Sequence, residues 1–488
     1  MNKLITIGLF LGISMSYFSQ NEEDALRYSN LDLQGSARYA SMGGAFGALG
    51  TDVSVLAVNP AGMARIKSNV ISGTLNLGLS DVKSNFNGVT TNSPWETFDL
   101  NNLGIVGVIE SDEESPWRKV QFGYSYNRMA EFNSKSIIKG SNDASFSYVL
   151  ADRGYGLDPN QLVDADPFYS SLAYESFLTD FVYDSSQMYY TTQMYGDDIL
   201  HEHTINSSGR VGESDFSISG NYLDKFYIGA TIGRSVIKFK QVKTYYEEST
   251  IDSLELANFA FKEKLNTEGR GFNLKVGAIF LPQPWIRLGL AVHTPTRYHY
   301  MRDDWSTEVS TEFKDGDAFN QKMEGSNFVY KLQTPGRVIG SVALVAKKHG
   351  VISVDVEYID YGKAKLNKAK SSQDSYDFSF ENETAAKLYQ SSLNIRIGGE
   401  YKITNQFMGR LGYAINGNPF RSEYVENSTA KQKFSGGLGF RTNNFFVDFA
   451  VIFAREKGNY YMYDPQLVSN TVQTKSLVSS LLTVGLKI

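Results

Sequence analysis

Catalysis needs nucleophiles, bases or metal ligands in register, and this chain of 488 residues offers few. It has no cysteine, which removes thiol nucleophiles, disulfides and zinc–thiolate sites. Its five histidines are His201, His203, His293, His299 and His349. His201-Glu202-His203 would set two imidazoles on one face of an extended segment, a pair suited to a metal or a haem iron. No third ligand stands nearby, so a polar loop is the better reading. Asp315-Gly316-Asp317 lacks the spacing and the terminal Glu of a calcium loop. His293, beside Pro295, makes no convincing Ser–His pair on a strand face. The segment FKQVKTYYEES (239–249) reads as an outer strand extension rather than a ligand site. The expectation is a protein with no catalytic residue, no metal and no cofactor.

What remains is binding chemistry. DPFYSSLAYESFLTDFVYDSSQMYYTTQMY, from residue 166, concentrates Phe168, Leu172, Phe177, Leu178, Phe181 and Val182. Phe177/Phe181 and Leu178/Val182 are four apart, which predicts one face of an amphipathic helix. Such a helix is either a lid packed on other loops or a landing patch for an apolar ligand, and the two roles are compatible.

The elements that carry these residues have a period of two. In ISGTLNLGLS, Ile71, Leu75, Leu77 and Leu79 share one face, and Ser72, Thr74, Asn76 and Ser80 the other. VQFGYSYN, LNIRIGGEY, NFFVDFAVIF and the last strand up to Ile488 repeat the pattern. Short turns at 111–117, 223–225, 281–284, 347–350, 403–406 and 442–444 alternate with long connections at 83–97, 131–207, 244–266, 301–325, 366–388, 418–428 and 459–473. A transmembrane barrel keeps its long loops at one end; a soluble sandwich has no reason to. Strands near 69–82, 98–110, 118–130, 208–222, 226–243, 267–280, 285–300, 326–346, 351–365, 390–402, 407–417, 429–441, 445–458 and 474–488 make fourteen. That is an all-β, antiparallel transmembrane barrel.

The apolar row must face lipid, because unpaired charge is costly at the membrane midplane. The opposite row, with Lys275, Arg287, Asp355, Glu357, Arg396, Glu400, Arg410 and Asp448, lines the lumen, where opposite charges must pair. Pro335-Gly336 interrupts strand pairing. Beyond it Ile339, Ala343 and Val345 make even the lumen row apolar. Apolar parity also switches at Gly233, through a bulge or, preferably, because the strand leaves the membrane. Arg287, Ile339, Ala343, Arg396, Glu400 and Arg410 are the candidate lumen residues.

Residues 1–19, with Lys3 ahead of the apolar run Leu4–Ile13, predict a secretory signal peptide. The net charge of −6 argues against nucleic acid as a partner. Between leader and first strand lies SMGGAFGALGTDVSVLAVNPAGMARI, rich in Gly and Ala, with Asn59-Pro60-Ala61-Gly62 near its end.

This piece, fourteen strands with long outer loops, and the segments 269–292, 334–344, 353–362 and 394–414 together resemble the FadL family. These are outer-membrane transporters for long-chain fatty acids and other hydrophobic molecules. The style of the sequence is that of a Bacteroidetes-type relative, some of which carry a haem-receptor label. The chain departs from barrel habit in ending on Ile488 instead of an aromatic. The resemblance implies an N-terminal hatch at 20–66, with Asn59, Pro60, Ala61 and Gly62 in the plug, ahead of a barrel at 67–488. It implies capture of fatty acids or similar molecules by apolar outer loops and their release past the hatch, by a monomeric barrel in the outer membrane of a Gram-negative bacterium, in contact with its lipid. Two alternatives stand beside it: a non-transporting subunit or scaffold with outer-membrane protein partners, and a haem receptor using His201 and His203.

Overall fold

In the computed structural model the described residues are 22–488, except 113, 185–186, 326, 347–348, 370–375 and 424–428. The signal peptide expected at 1–19 lies outside them. The barrel strands are β1 (Val70–Phe86), β2 (Val89–Glu110), β3 (Trp117–Glu131, continued as Ser134–Asn142), β4 (Ile199–Tyr222), β5 (Phe226–Glu248), β6 (Leu256–Gln283) and β7 (Ile286–His293, continued as Arg297–Phe313). They continue with β8 (Phe328–Gln333, then Arg337–Ala346), β9 (Gly350–Asp360), β10 (Ser391–Lys402), β11 (Phe407–Asn416), β12 (Lys431–Arg441), β13 (Phe445–Tyr460) and β14 (Thr471–Lys487). Each pairs antiparallel with the next, and β14 pairs back onto β1 from Val70↔Lys487 to Asn85↔Val472. The result is a closed fourteen-stranded antiparallel barrel. No helix among the described residues is long and apolar enough to cross a membrane.

The burial pattern is inverted relative to a soluble protein. Leu77 is 47% exposed while Asn76 beside it is fully buried. Leu75, Phe98, Ile105, Phe216, Val276, Leu290, Val342, Ile395, Leu438, Phe449 and Leu482 are likewise exposed and form an apolar belt. Polar inward and apolar outward is the alternation a lipid-facing barrel requires. At the short-turn end Leu223 and Asp224 both take left-handed backbone to reverse β4 into β5, and Trp117 packs edge-on against Tyr222.

The long-loop end differs from expectation. The connection expected at 83–97 is a two-residue hairpin, Asn87-Gly88, with φ of 46° and 85°. Strands β5 and β6 run on to Glu248 and from Leu256, and β7 runs to Phe313, where a turn leads into a further strand, Ala318–Glu324. These stretches keep period two but carry Ser, Thr, Lys and Glu on both faces, so they are strand without a lipid signal. The parity switch at Gly233 involves no bulge, since β5 pairs with β4 and β6 without a register shift. Ile237 and Phe239 point inward there and pack with Ala25 and Tyr28 of the N-terminal segment.

Pro335-Gly336 does interrupt β8, and Thr294–Thr296 interrupts β7 at the same height. Below the break Ile286–His293 pairs with Arg337–Leu344; above it the ladder resumes at Arg297↔Gln333. Inserted between the halves of the outer wall, residues 143–198 form a cap of three short helices, Ser147–Arg153, Pro159–Ala165 and Ser170–Glu175, and one hairpin. Its core joins Leu150, Leu172 and Leu178 to Phe86, Ile138, Phe259, Phe261 and Val309 of the extended strands.

Candidate functional site

The lumen is filled from within by residues 22–66. Their sequence explains their compactness. Ser36, Asp52 and Asn59 each cap the turn that follows, accepting from the backbone N–H of Tyr39, Ser54 and Ala61. Pro60 then occupies the first position of its turn, where no N–H is missed. Asn59 does more than cap: its Nδ2 donates to the carbonyls of Gly47 (2.6 Å) and of Ala278 in β6 (3.3 Å). Ala61 is fully buried, and Gly62 packs on Gly50, where a Cβ would sit 2.4 Å from the Gly62 carbonyl. The Asn-Pro-Ala-Gly motif is therefore the knot of the segment and its weld to the wall.

The wall receives it on glycine. A methyl on Gly277 would sit 1.9 Å from Asn59 Oδ1, and one on Gly229 would sit 2.5 Å from the Pro60 carbonyl. Between these close approaches run hydrogen bonds to strands around the ring. Ala37 N donates to Thr483 Oγ1 (2.7 Å), Gly47 N to Asp355 Oδ2 (2.8 Å), and His293 Nε2 to the Val58 carbonyl (2.7 Å). Gln121 Nε2 donates to the Ala64 carbonyl (3.1 Å). Met42, Phe46, Leu56 and Met63 are fully buried, each burial contributing about 1.5–3 kcal/mol. Ile339 and Ala343 belong to the same cluster, so the apolar lumen row of β8 is the surface this segment covers.

Of the eight expected lumen charges, all but Arg287 and Asp355 form ion pairs among the described residues. Arg38 of the segment reaches Glu400 (2.9 Å), which also holds Arg410 (2.7 Å); Arg410 holds Asp448 (2.6 Å). Glu357 holds Arg337 (2.8 Å) and Arg396, and Lys275 holds Glu213 and Asp215. Asp32 of the segment is gripped by Lys431 and Lys433. Arg287 alone of the six candidate lumen residues is charged and has no acidic partner among the described residues. Arg38, Asp32, Lys431 and Lys433 escaped the sequence reading. For Arg38 and Asp32 the signal was available: a charge enclosed in a segment that packs inside a barrel needs a partner.

Between the first residues of the segment, 23–34, and the wall lies a cavity of ≈ 470 Å³. Leu26, Phe132, Tyr389 and Phe420 give it apolar surface, and Asp32, Arg128, Glu131, Lys431 and Lys475 give it charge.

The capture residues are scattered differently from the expected helix. Leu172 does lie on a short helix, but that helix stops at Glu175, and Phe177 has left-handed backbone (φ 58°). Phe181 and Val182 then lie on a strand, Thr179–Asp184, paired with Gln187–Thr192. β-branched and aromatic side chains in FLTDFVYD favour that extended form over the helix that four-residue spacing suggested. Leu172 and Leu178 are buried in the cap. Phe168 leans on Trp305 (4.5 Å between ring centroids), Phe181 packs on Tyr190, and Phe177 is 52% exposed against Phe319. His201 and His203 are both buried in the wall below the cap. His201 Nδ1 meets Glu247 (3.1 Å), whereas His203 uses both ring nitrogens, on the Thr244 carbonyl and the Tyr460 hydroxyl.

Fourteen antiparallel strands closed around a folded N-terminal segment define a class, the lipid-facing β-barrel with an occupied lumen. Within it, the chain has the fold of FadL-type channels. It aligns with a FadL homologue from Pseudomonas aeruginosa at TM-score 0.54 and 14% identity, covering 93% of this chain and 98% of that one. The toluene transporter TbuX of Ralstonia pickettii aligns at 0.53 and 13%, covering 94% and 99%. The P. putida toluene transporter TodX aligns at 0.51 and 13%, with the same coverage. Residues 12–93 match an uncharacterised protein family, UPF0164. No curated protein matches the chain.

Proposed function

We propose that the protein is a passive diffusion channel in the outer membrane of a Gram-negative bacterium, carrying long-chain fatty acids or similar hydrophobic molecules. In this reading residues 20–66 are its hatch. The observation that carries it is a compact, side-chain-tethered segment filling a barrel whose outside is apolar. Structural neighbours that are themselves transporters of hydrophobic compounds support it. The cavity supports an amphipathic cargo over a bare hydrocarbon, since it sets charged side chains of both signs, Asp32, Arg128, Glu131, Lys431 and Lys475, beside aromatic surface. Cargo is captured at the cap, around Phe168, Phe177 and Phe181, and passes to the cavity when the hatch shifts. Asn59, Pro60, Ala61 and Gly62 hold the hatch closed.

The test is deletion of residues 36–64, measured as flux of small polar solutes through liposomes carrying the barrel. A raised flux is expected; an unchanged flux refutes the hatch. Mass spectrometry of small molecules that co-purify with the intact barrel tests the cargo: bound fatty acid is expected, and stoichiometric protein partners with no bound lipid would favour a scaffold instead.

A further inference from the structure

Two arginines at the short-turn end of the lumen form no ion pair with a carboxylate among the described residues. Arg65 closes the turn Pro60–Arg65 of the N-terminal segment, and Arg287 lies near the start of β7. Arg65 approaches the ring of Tyr227 in β5, its guanidinium carbon 5.1 Å from the centroid, and its Cδ would lie 3.0 Å from a Cβ on Gly50, the residue after Leu49. Nε and Nη1 of Arg65 and Nε of Arg287 are buried and have no hydrogen-bond partner among the described residues. Arg287 Nη1 approaches the Leu49 carbonyl at 3.5 Å. Asp224, at the neighbouring turn, accepts from Asn221 (2.7 Å) instead. Ala61, Ala64, Ile279 and Tyr227 form an apolar cluster at the same place. Elsewhere in this lumen Arg38, Arg337, Arg396 and Arg410 all hold carboxylates.

Two like charges at adjoining residues of the segment, Leu49 and Gly50, with three buried side-chain nitrogens unmet among the described residues, are unfavourable unless something negative joins them. The forked guanidinium geometry matches an oxyanion. We propose that Arg65 and Arg287 form a binding site for one oxyanion, a carboxylate or a phosphate, at the foot of the lumen. The anion bridges the N-terminal segment to the wall. This site goes beyond the transport reading and does not depend on what the channel carries.

The full chain, purified in nonionic detergent and phosphate-free buffer, is titrated calorimetrically with inorganic phosphate and, separately, with hexanoate. Saturable binding of at least one of them is expected, weakened tenfold or more in R65Q and in R287Q and less in R287K. R287K also serves if the glutamine variants fail to give a barrel circular-dichroism spectrum. A phospholipid that co-purifies with the wild type and is lost from R65Q/R287Q counts as binding and assigns the phosphate to a lipid head group. Binding of hexanoate alone assigns a carboxylate. Absence of any bound or titratable anion, or binding undiminished in R65Q/R287Q, overturns the site.

Discussion

Replacing Arg38 by Ala tests whether charge holds the N-terminal segment in place. Arg38 is 6% exposed and donates to both oxygens of Glu400, at 2.9 and 3.2 Å, and to the carbonyl and hydroxyl of Thr51, at 3.1 and 3.0 Å. Removing one partner of a buried pair costs about 3–5 kcal/mol when the other is stranded. Glu400 is not stranded, because Arg410 remains 2.7 Å away, so the cost is that of the lost charge-assisted hydrogen bonds, about 3 kcal/mol. At 1.4 kcal/mol per tenfold that is roughly a hundredfold increase in the population with the segment displaced. Hydrogen exchange followed by mass spectrometry reads that population directly. The amides of Gly43 and Gly47, which donate to Ser435 and Asp355, report on it. They should exchange about a hundredfold faster in Arg38→Ala while β1 to β14 keep their protection. Arg38→Lys should fall between. Unchanged exchange over residues 36–50 would show that apolar packing alone retains the segment and would refute the reasoning.

Gly277→Val should displace Asn59, since even a Cβ would collide with its Oδ1; the readout is raised small-solute flux, and wild-type flux would count against the weld. Phe177→Ser should lower uptake of a long-chain fatty acid without loss of folded barrel, because this ring is half-exposed; uptake equal to wild type removes it from the capture surface. His203 lies in the outer wall, beyond the apolar belt, where burial, with help from Lys243, pushes its imidazole down to about 3 despite its bond to the Thr244 carbonyl. The unfolded imidazole, near 6.5, takes up a proton that the folded one refuses. The stability of the cap should therefore fall as pH drops from about 6.5 towards 3, by at most ~1.4 kcal/mol per pH unit. Near-UV circular dichroism melts should show this slope flattened in His203→Phe, and an identical slope would exclude His203 as its source.

The barrel was legible in the sequence because lipid imposes a strict rule on one face. Leu75-Asn76-Leu77 can be read with no neighbour in view, and so can most of the strands. The outer walls were not, since above the belt both faces of 83–97 or 301–313 meet water or protein and the apolar row disappears. The helix expected at Phe177–Val182 failed for a related reason: a spacing of four in a short apolar run also fits a strand with its neighbours. The glycines at 229 and 277 were visible on the lumen row, but their purpose needed the register that brings both beneath Asn59 and Pro60. Arg38 and Asp32 were visible as well; their partners, some 360 and 400 residues away, were not.

The seam between β1 and β14 has a consequence for how the molecule is made. It joins the first strand to the last, so the ring closes only once the whole chain is present, and such non-local pairing is slow. The segment that fills the ring is attached directly before β1; its bonds reach β10 and β12 and its Gly43 packs on β11, late strands of the chain. Filling and closing are thus tied in time: the segment must be among the late strands before the seam zips, or enter the closed ring afterwards. If it is present first, the small residues of 36–64 act as the mandrel on which the barrel is wound.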